Sequence, residues 1–408
     1  MPLLSNSMQE SRTLNQSRQH HLDALRGVVA LLVVVAHYFV AFYPYTIFGN
    51  HGIYQQRSIW ENIFFYPPFG LLVAGNFAVC TFFILSGYVL SYKYLGEIPR
   101  IKGIIAAMIK RPIRLGGLVL FTIILSSCLW YSGLYFNNAV SEITHSKPWF
   151  SHFWHGSFEL RQLVKNIVTS LFSNGAIYNP PLWTIPIELY GSILVFLFVL
   201  LFGNFKYRLL IVGILLIFLK STFYVGFLLG IIIADIVKNH HFISKLKSKN
   251  IISIVLLILF LYFSSYPSYV YPDFMKGTIY KILPDVSRFG GGYPMLSALL
   301  LFILVTINRQ IKNVLHTPLL QSLGRVSYGL YVIHFLVIGS LSSWLFLRLN
   351  DDLGYSRSFA LVLLFGIPIS VLLAYWTTIY IDTPVIKFAS DICKKISALV
   401  NVDTNHFT

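Results

Sequence analysis

The chain has 408 residues, of which 56% are hydrophobic and only 11% charged. Soluble domains carry about 25% charged residues, so a soluble globular protein is excluded and an integral membrane protein is indicated. A net charge of +16 would suit a nucleic-acid binder if it formed a basic stripe, but here Lys and Arg fall mostly in short loops between apolar runs, where membrane topology accounts for them and no nucleic-acid partner follows.

Apolar runs of spanning length recur evenly and predict one all-α, polytopic membrane domain of about ten transmembrane helices. They lie near residues 22–43, 70–92, 113–136, 183–203, 207–219, 221–237, 251–265, 293–307, 326–347 and 358–381. A transmembrane domain over residues 21–390 is then preceded by a cytoplasmic segment, 1–20, and followed by a cytoplasmic tail, 391–408. The first run is longer than a secretory h-region and lacks a small-residue cleavage site, so it stays as a helix. With the amino terminus inside, 21 of the 31 Lys and Arg residues fall on the inner side, which places both termini in the cytoplasm; the expected location is a plasma membrane, the bacterial inner membrane. The lipid bilayer is the first partner the composition implies.

The first helix, "LDALRGVVALLVVVAHYFV", carries Asp23 and Arg26 at one end and His37 deep inside. From Arg26 to His37 is eleven positions, which at about 100° per residue returns to within roughly 20° of the same helix face, so both side chains can line one cavity about 16 Å apart along the axis. Asp23 stands one turn before Arg26 and can pair with it. A snorkelling arginine and a histidine hydrogen-bonded to another helix are the alternative reading. In the second helix, "FFILSGYVLS" supplies Ser86 and Gly87, small enough for close helix contact, with a hydroxyl that can reach a cavity.

"KRPIRLGG" places Arg111 and Arg114 one turn apart at the start of the third helix. If the first and third helices are neighbours, three guanidinium groups converge on one mouth, and such forks suit the phosphate oxygens of a coenzyme A thioester; ordinary positive-inside anchoring is the simpler reading. The long outer loop, residues 137–182, holds His145, His152 and His155 among many aromatics. It reads as an interfacial helix with Trp149, Phe150 and Trp154 at headgroup level, or as a lid or a glycan platform. His152 and His155 lack the companion ligands that would make a metal site, so no metal is assigned. Cys80, Cys128 and Cys393 show neither a disulfide framework nor metal-ligand spacing.

"NPPLWTIPIELYGSILVF" sets Glu188 about one turn and a half inside the fourth span. It can pair with a histidine, stabilising an imidazolium, or with an Arg or Lys. "GRVSYGLYVIHF" adds His334, with Tyr328 and Tyr331 nearby, as an interior hydrogen-bonding group or a cavity contact. Asp382, in "IDTPVIKF", closes the last helix and can meet a nearby arginine.

Together these segments resemble the membrane acyltransferase-3 family. "LDALRGVVALLVVVAHYF" has its Arg-x10-His first helix, "RPIRL" its Arg-x2-Arg, and "FFILSGYVLS", "LWTIPIELYGS" and "SYGLYVIH" match three further stretches in order, over about residues 20 to 390. One departure is "GNFAVCTFF", where Cys80 and Thr81 stand in place of the central residues of an acidic Val-Asp-Leu-Phe-Phe form. The resemblance implies an enzyme that takes an acyl group, acetyl foremost, from cytosolic acyl-CoA to a hydroxyl of an extracytoplasmic glycan or another acceptor. By that analogy His37 is the catalytic histidine, Glu188 assists it, and Arg26, Arg111 and Arg114 serve the donor. The reading of the segments themselves makes Asp23, Ser86 and His334 candidates for lining the cavity. Direct transfer with His37 as general base and a covalent acyl-imidazole on His37 both fit. The rival from another class is a proton-coupled small-molecule transporter or flippase, and a weaker one is a glycan polymerase working through outer loops. The arginine trio argues against the transporter, because a proton relay needs no phosphate-binding mouth.

Overall fold

The computed structural model describes residues 19–49, 54–96, 101–156, 158–173, 176–239 and 250–403. Ten long helices occupy the ten regions expected: α1 His20–Phe42, α2 Gly75–Tyr92, α3 Ile101–Tyr131, α4 Thr184–Phe202, α5 Arg208–Leu219, α6 Tyr224–Asn239, α7 Asn250–Ser264, α8 Gly292–Ile307, α9 Pro318–Leu353 and α10 Tyr355–Lys395. No strand occurs among the described residues. Six of the helices are long and apolar enough to cross a membrane, or seven spans if α8 is joined to Arg309–Leu315 across a 95° bend. The protein is thus an all-helical integral membrane protein, with six or seven rather than ten helices that meet the length criterion. The physical reason is reach. At about 1.5 Å per residue, α5 and α7, with 12 and 15 residues, extend roughly 18 and 22 Å, short of a hydrocarbon core of about 30 Å.

Helix ends follow proline chemistry at several places. α1 stops at Phe42, two residues before Pro44, and α9 starts with Pro318 in its first turn, eight residues ahead of the expected start at 326. α3 departs most from expectation, because it begins at Ile101 and runs through Pro112 rather than starting beside it. Its added turns bury Ile104 and pack against the C-terminal part of α10, and that tertiary contact outweighs the lost backbone hydrogen bond. Arg111 and Arg114 therefore lie inside a helix and not at its start. The final helix also continues past residue 381, as a helix to Asp403.

α1 lies between α2 and α9, and its contact with α9 is the most extensive between helices among the described residues. The approach is backbone to backbone at Gly27 and Gly324, where a Cβ on either residue would collide with the facing main chain. Around the other end of α1, Tyr38, Phe42, Phe150, Trp154, Phe335 and Phe359 form a buried aromatic core. Trp154 and Phe150 thus lie inside the protein rather than on its surface. The reason is the indole N–H of Trp154, which donates to Ser126 Oγ and to the carbonyl of Tyr178, both at 3.0 Å.

If the α1–α9 crossing holds the bundle together, Gly324→Val should destabilise the purified protein by about 1–3 kcal/mol, the usual cost of overpacking, as a lowered thermal transition in detergent. Gly213→Val, at a position with nothing within 4 Å, should leave the transition in place.

Candidate active site

A cavity of ≈ 1180 Å³ opens among α1, α2, α3, α4, α9 and α10, above the 300–1,000 Å³ usual for small-molecule pockets. Six basic side chains line it, Arg26, Lys93, Arg111, Arg114, Lys238 and Arg325, against three acidic ones, Asp23, Glu188 and Asp382. Ser86, Tyr328 and Tyr331 complete the polar wall. Every residue expected to serve the donor is brought to this one space.

Inside it, Arg111 and Glu188 form an ion pair between α3 and α4, with side chains only 14% and 15% exposed. Ser86 Oγ of α2 donates to Glu188 Oε1 at 2.5 Å, and Arg111 Nε donates to Ser192 Oγ at 2.8 Å. Glu188 was expected either beside a histidine or beside a cation, and it takes the cation: the helix rotation that aims it into the cavity points it at Arg111. Arg26 and Arg114 are differently placed. Arg26 has Asp23 at 3.7 Å, and among the described residues Arg114 takes part in no hydrogen bond or ion pair within 4 Å. Two guanidinium groups thus present unengaged N–H donors to the cavity, an arrangement suited to phosphate oxygens.

His37 is not part of this wall, contrary to the expectation that it and Arg26 line one cavity. Eleven residues of spacing set the rotation about α1 but not what the neighbouring helix inserts. Tyr331 of α9 lines the cavity, its hydroxyl within 2.8 Å of Thr184 Oγ1 and 2.9 Å of the carbonyl of Pro181. The next turn of α9 carries His334, its ring 6.2 Å from that of Tyr331 and 5.0 Å from that of His37.

The two histidines have assignable tautomers. His37 Nδ1 is 2.9 Å from the carbonyl of Val33, and His334 Nδ1 is 3.0 Å from the carbonyl of Leu330. A carbonyl only accepts, so each Nδ1 carries its hydrogen. His334 Nε2 is then a bare lone pair, 3.2 Å from His37 Nδ1, and accepts from it. What remains is His37 Nε2, an unprotonated ring nitrogen held by two contacts on the opposite side of the ring, ready to take a proton. Trp149 stacks near His37 at 6.1 Å, and Phe335 meets it edge-on at 5.3 Å.

The sequence motifs carry this arrangement as a whole. Residues 19–379 match the family whose description is an acyltransferase domain, the acyltransferase-3 family. The chain belongs to that family. It is similar to the O-acetyltransferase PaAT-1 of Phomopsis amygdali, 25% identical over 381 residues that cover 82% of this chain and 74% of that protein. It is also similar to Acyltransferase R4 of a Phoma species, 24% identical over 432 residues covering 86% of this chain and 89% of that protein. No solved structure matches it. The protein is a membrane acyltransferase.

Sequence reasoning passed over Tyr331 as a cavity wall and Lys93, Lys238 and Arg325 as lining cations. Tyr328, Tyr331 and His334 recur at three-residue intervals, so their shared face was legible; the three cations stand in ordinary loop-flanking positions and gave no signal.

Because one partner alone would leave a buried charge unpaired, Glu188→Gln should lower stability by about 3–5 kcal/mol. The double variant Arg111→Met/Glu188→Leu should recover most of that loss in thermal denaturation while remaining inactive in acyl transfer, which separates the pair's contribution to folding from its place in the site.

Proposed function

We propose that this acyltransferase moves an acyl group, acetyl foremost, from a coenzyme A thioester to a hydroxyl of an extracytoplasmic glycan or other acceptor. The observation that carries the reading is the cavity in which Arg114 has no ion pair among the described residues and Arg26 only a 3.7 Å contact with Asp23, next to Tyr331, His334 and a histidine whose Nε2 is free. Arg26 and Arg114 hold the donor's phosphates, Arg111 is kept in place by Glu188, and Asp23 orients Arg26. The name of one relative, an O-acetyltransferase, supports an oxygen nucleophile and an acetyl donor.

In this mechanism His37 Nε2 takes the proton of the acceptor hydroxyl while its oxygen bonds to the thioester carbonyl carbon. Collapse breaks the C–S bond, and the proton passes from the imidazolium to the departing thiolate. The imidazolium is stabilised on its far side, where Nδ1–H donates to Val33 and to the lone pair of His334. His334 is a positioning residue, filling with a neutral ring the role a carboxylate often has. The separation of His37 from the charged cavity supports the covalent variant as a second reading, with an acyl-imidazole on His37 carrying the group past Tyr331.

For topology we propose that all ten helices are embedded, both termini face the cytoplasm of a plasma membrane, and the charged cavity opens there. Support comes from the distribution of basic residues, with 21 of 31 on one side.

Two outcomes test this reading. His37→Gln, which keeps size and hydrogen bonding, should lose about 10²–10⁴ in turnover while coenzyme A binding persists, and His334→Leu should lower kcat with an unchanged donor KM, with His334→Gln partly restoring it. Rapid quenching with acyl-CoA alone and mass spectrometry of the His37 peptide decide between general base and acyl carrier. Sidedness is tested in a cysteine-free background: a cysteine at position 309 should react with an impermeant thiol reagent only after permeabilisation, and one at position 155 without it. The reverse pattern would place the donor on the wrong side.

A further inference from the structure

Asp382 lies in a π turn of α10, Thr378–Asp382, on the wall of the arginine cavity. Such turns break the helical register and often occur where a side chain is re-aimed for a function. Asp382 is 6% exposed, and its Oδ1 is buried with no hydrogen-bond partner among the described residues. The hydroxyls sharing this wall cannot supply a donor, because each already donates to a carbonyl: Tyr328 to Leu115 at 2.7 Å, Thr378 to Ala374 at 2.8 Å and Thr383 to Thr378 at 2.8 Å. Its charged neighbour is Arg114, which comes no nearer than an electrostatic contact.

A buried carboxylate oxygen without a donor carries an uncompensated desolvation cost, and the natural remedy, an ion pair with Arg114, is not made. The two groups instead face one space side by side. A bare inorganic anion would suit Arg114 but be repelled by Asp382. A ligand that suits both has an anionic group within a few atoms of a hydroxyl or amino hydrogen. A phosphorylated nucleoside has that pairing, with phosphate, ribose hydroxyls and a base amine close together.

Resting on the coenzyme A reading above, we propose that Arg114 and Asp382 form a nucleotide subsite, in which Arg114 takes a phosphate and the Asp382 carboxylate accepts from an adjacent ribose hydroxyl or base amine. The subsite holds the end of the donor remote from the thioester, and it makes recognition depend on the nucleoside as well as on charge.

The test measures binding to the purified full-length protein of coenzyme A, adenosine 3′,5′-bisphosphate, which carries only the nucleotide end, and 4′-phosphopantetheine, which lacks the nucleoside. Asp382→Asn and Asp382→Ala should weaken adenosine 3′,5′-bisphosphate by about tenfold to a hundredfold and leave phosphopantetheine unchanged. If Asp382 only balances the charge of Arg114, removing its charge should tighten every phosphate ligand, and that sign would overturn the proposal. So would equal weakening of both fragments, or wild-type affinity for the nucleotide in both variants. Thermal denaturation of each variant identifies a folding defect, and the near-isosteric Asn substitution keeps the comparison in a folded protein. Should the wild type bind neither coenzyme A nor the bisphosphate, the donor reading itself fails; binding by the wild type with no effect of Asp382 removes the subsite alone.

Discussion

The pairing of Arg111 with Glu188 is the interaction on which the arrangement of the cavity depends. A carboxylate in an apolar bundle is costly unless a cation and hydrogen bonds accompany it, and Glu188 has both, from Arg111 on α3 and Ser86 on α2. Three helices are thereby held in one register. Because this pair consumes one arginine, the remaining two, Arg26 and Arg114, are left facing the cavity without a full complement of partners. The charge that makes the cavity attractive to an anion is thus a consequence of how the buried acid is neutralised.

The second constraint is the close contact of α1 with α9. Gly27 and Gly324 let the two backbones meet, and that proximity brings His334 to hydrogen-bonding distance of His37. Two ordinary i−4 carbonyl contacts then set both tautomers without any buried carboxylate at the histidines. A neutral orienter suits a site surrounded by Trp149 and Phe335, where a charged one would need its own counter-ion.

Tyr331, which lines the charged cavity, neighbours His334, and His334 neighbours His37. On the proposed reading, anion-holding groups and the histidine that handles the proton are thereby kept apart.

Composition alone settled that this is an all-helical membrane protein, because an 11% charged chain with evenly spaced apolar runs has no other stable arrangement in lipid. Spacing along single helices was equally legible: Asp23 and Arg26 one turn apart, Arg26 and His37 on one face, Arg111 and Arg114 one turn apart. Helix starts were less so, since Pro112 reads as a beginning and only the packing of Ile104 against the end of α10 carries α3 through it. What the tertiary structure alone decided is which face meets which. Glu188 could have met a histidine or a cation, His37 could have shared a cavity with Arg26, and Asp382 could have closed an ion pair. Local periodicity specifies a direction around one helix axis, whereas a partner also requires the crossing angle, depth and side-chain volume of a second helix, and these are set only when close contacts such as Gly27 against Gly324 bring the helices together.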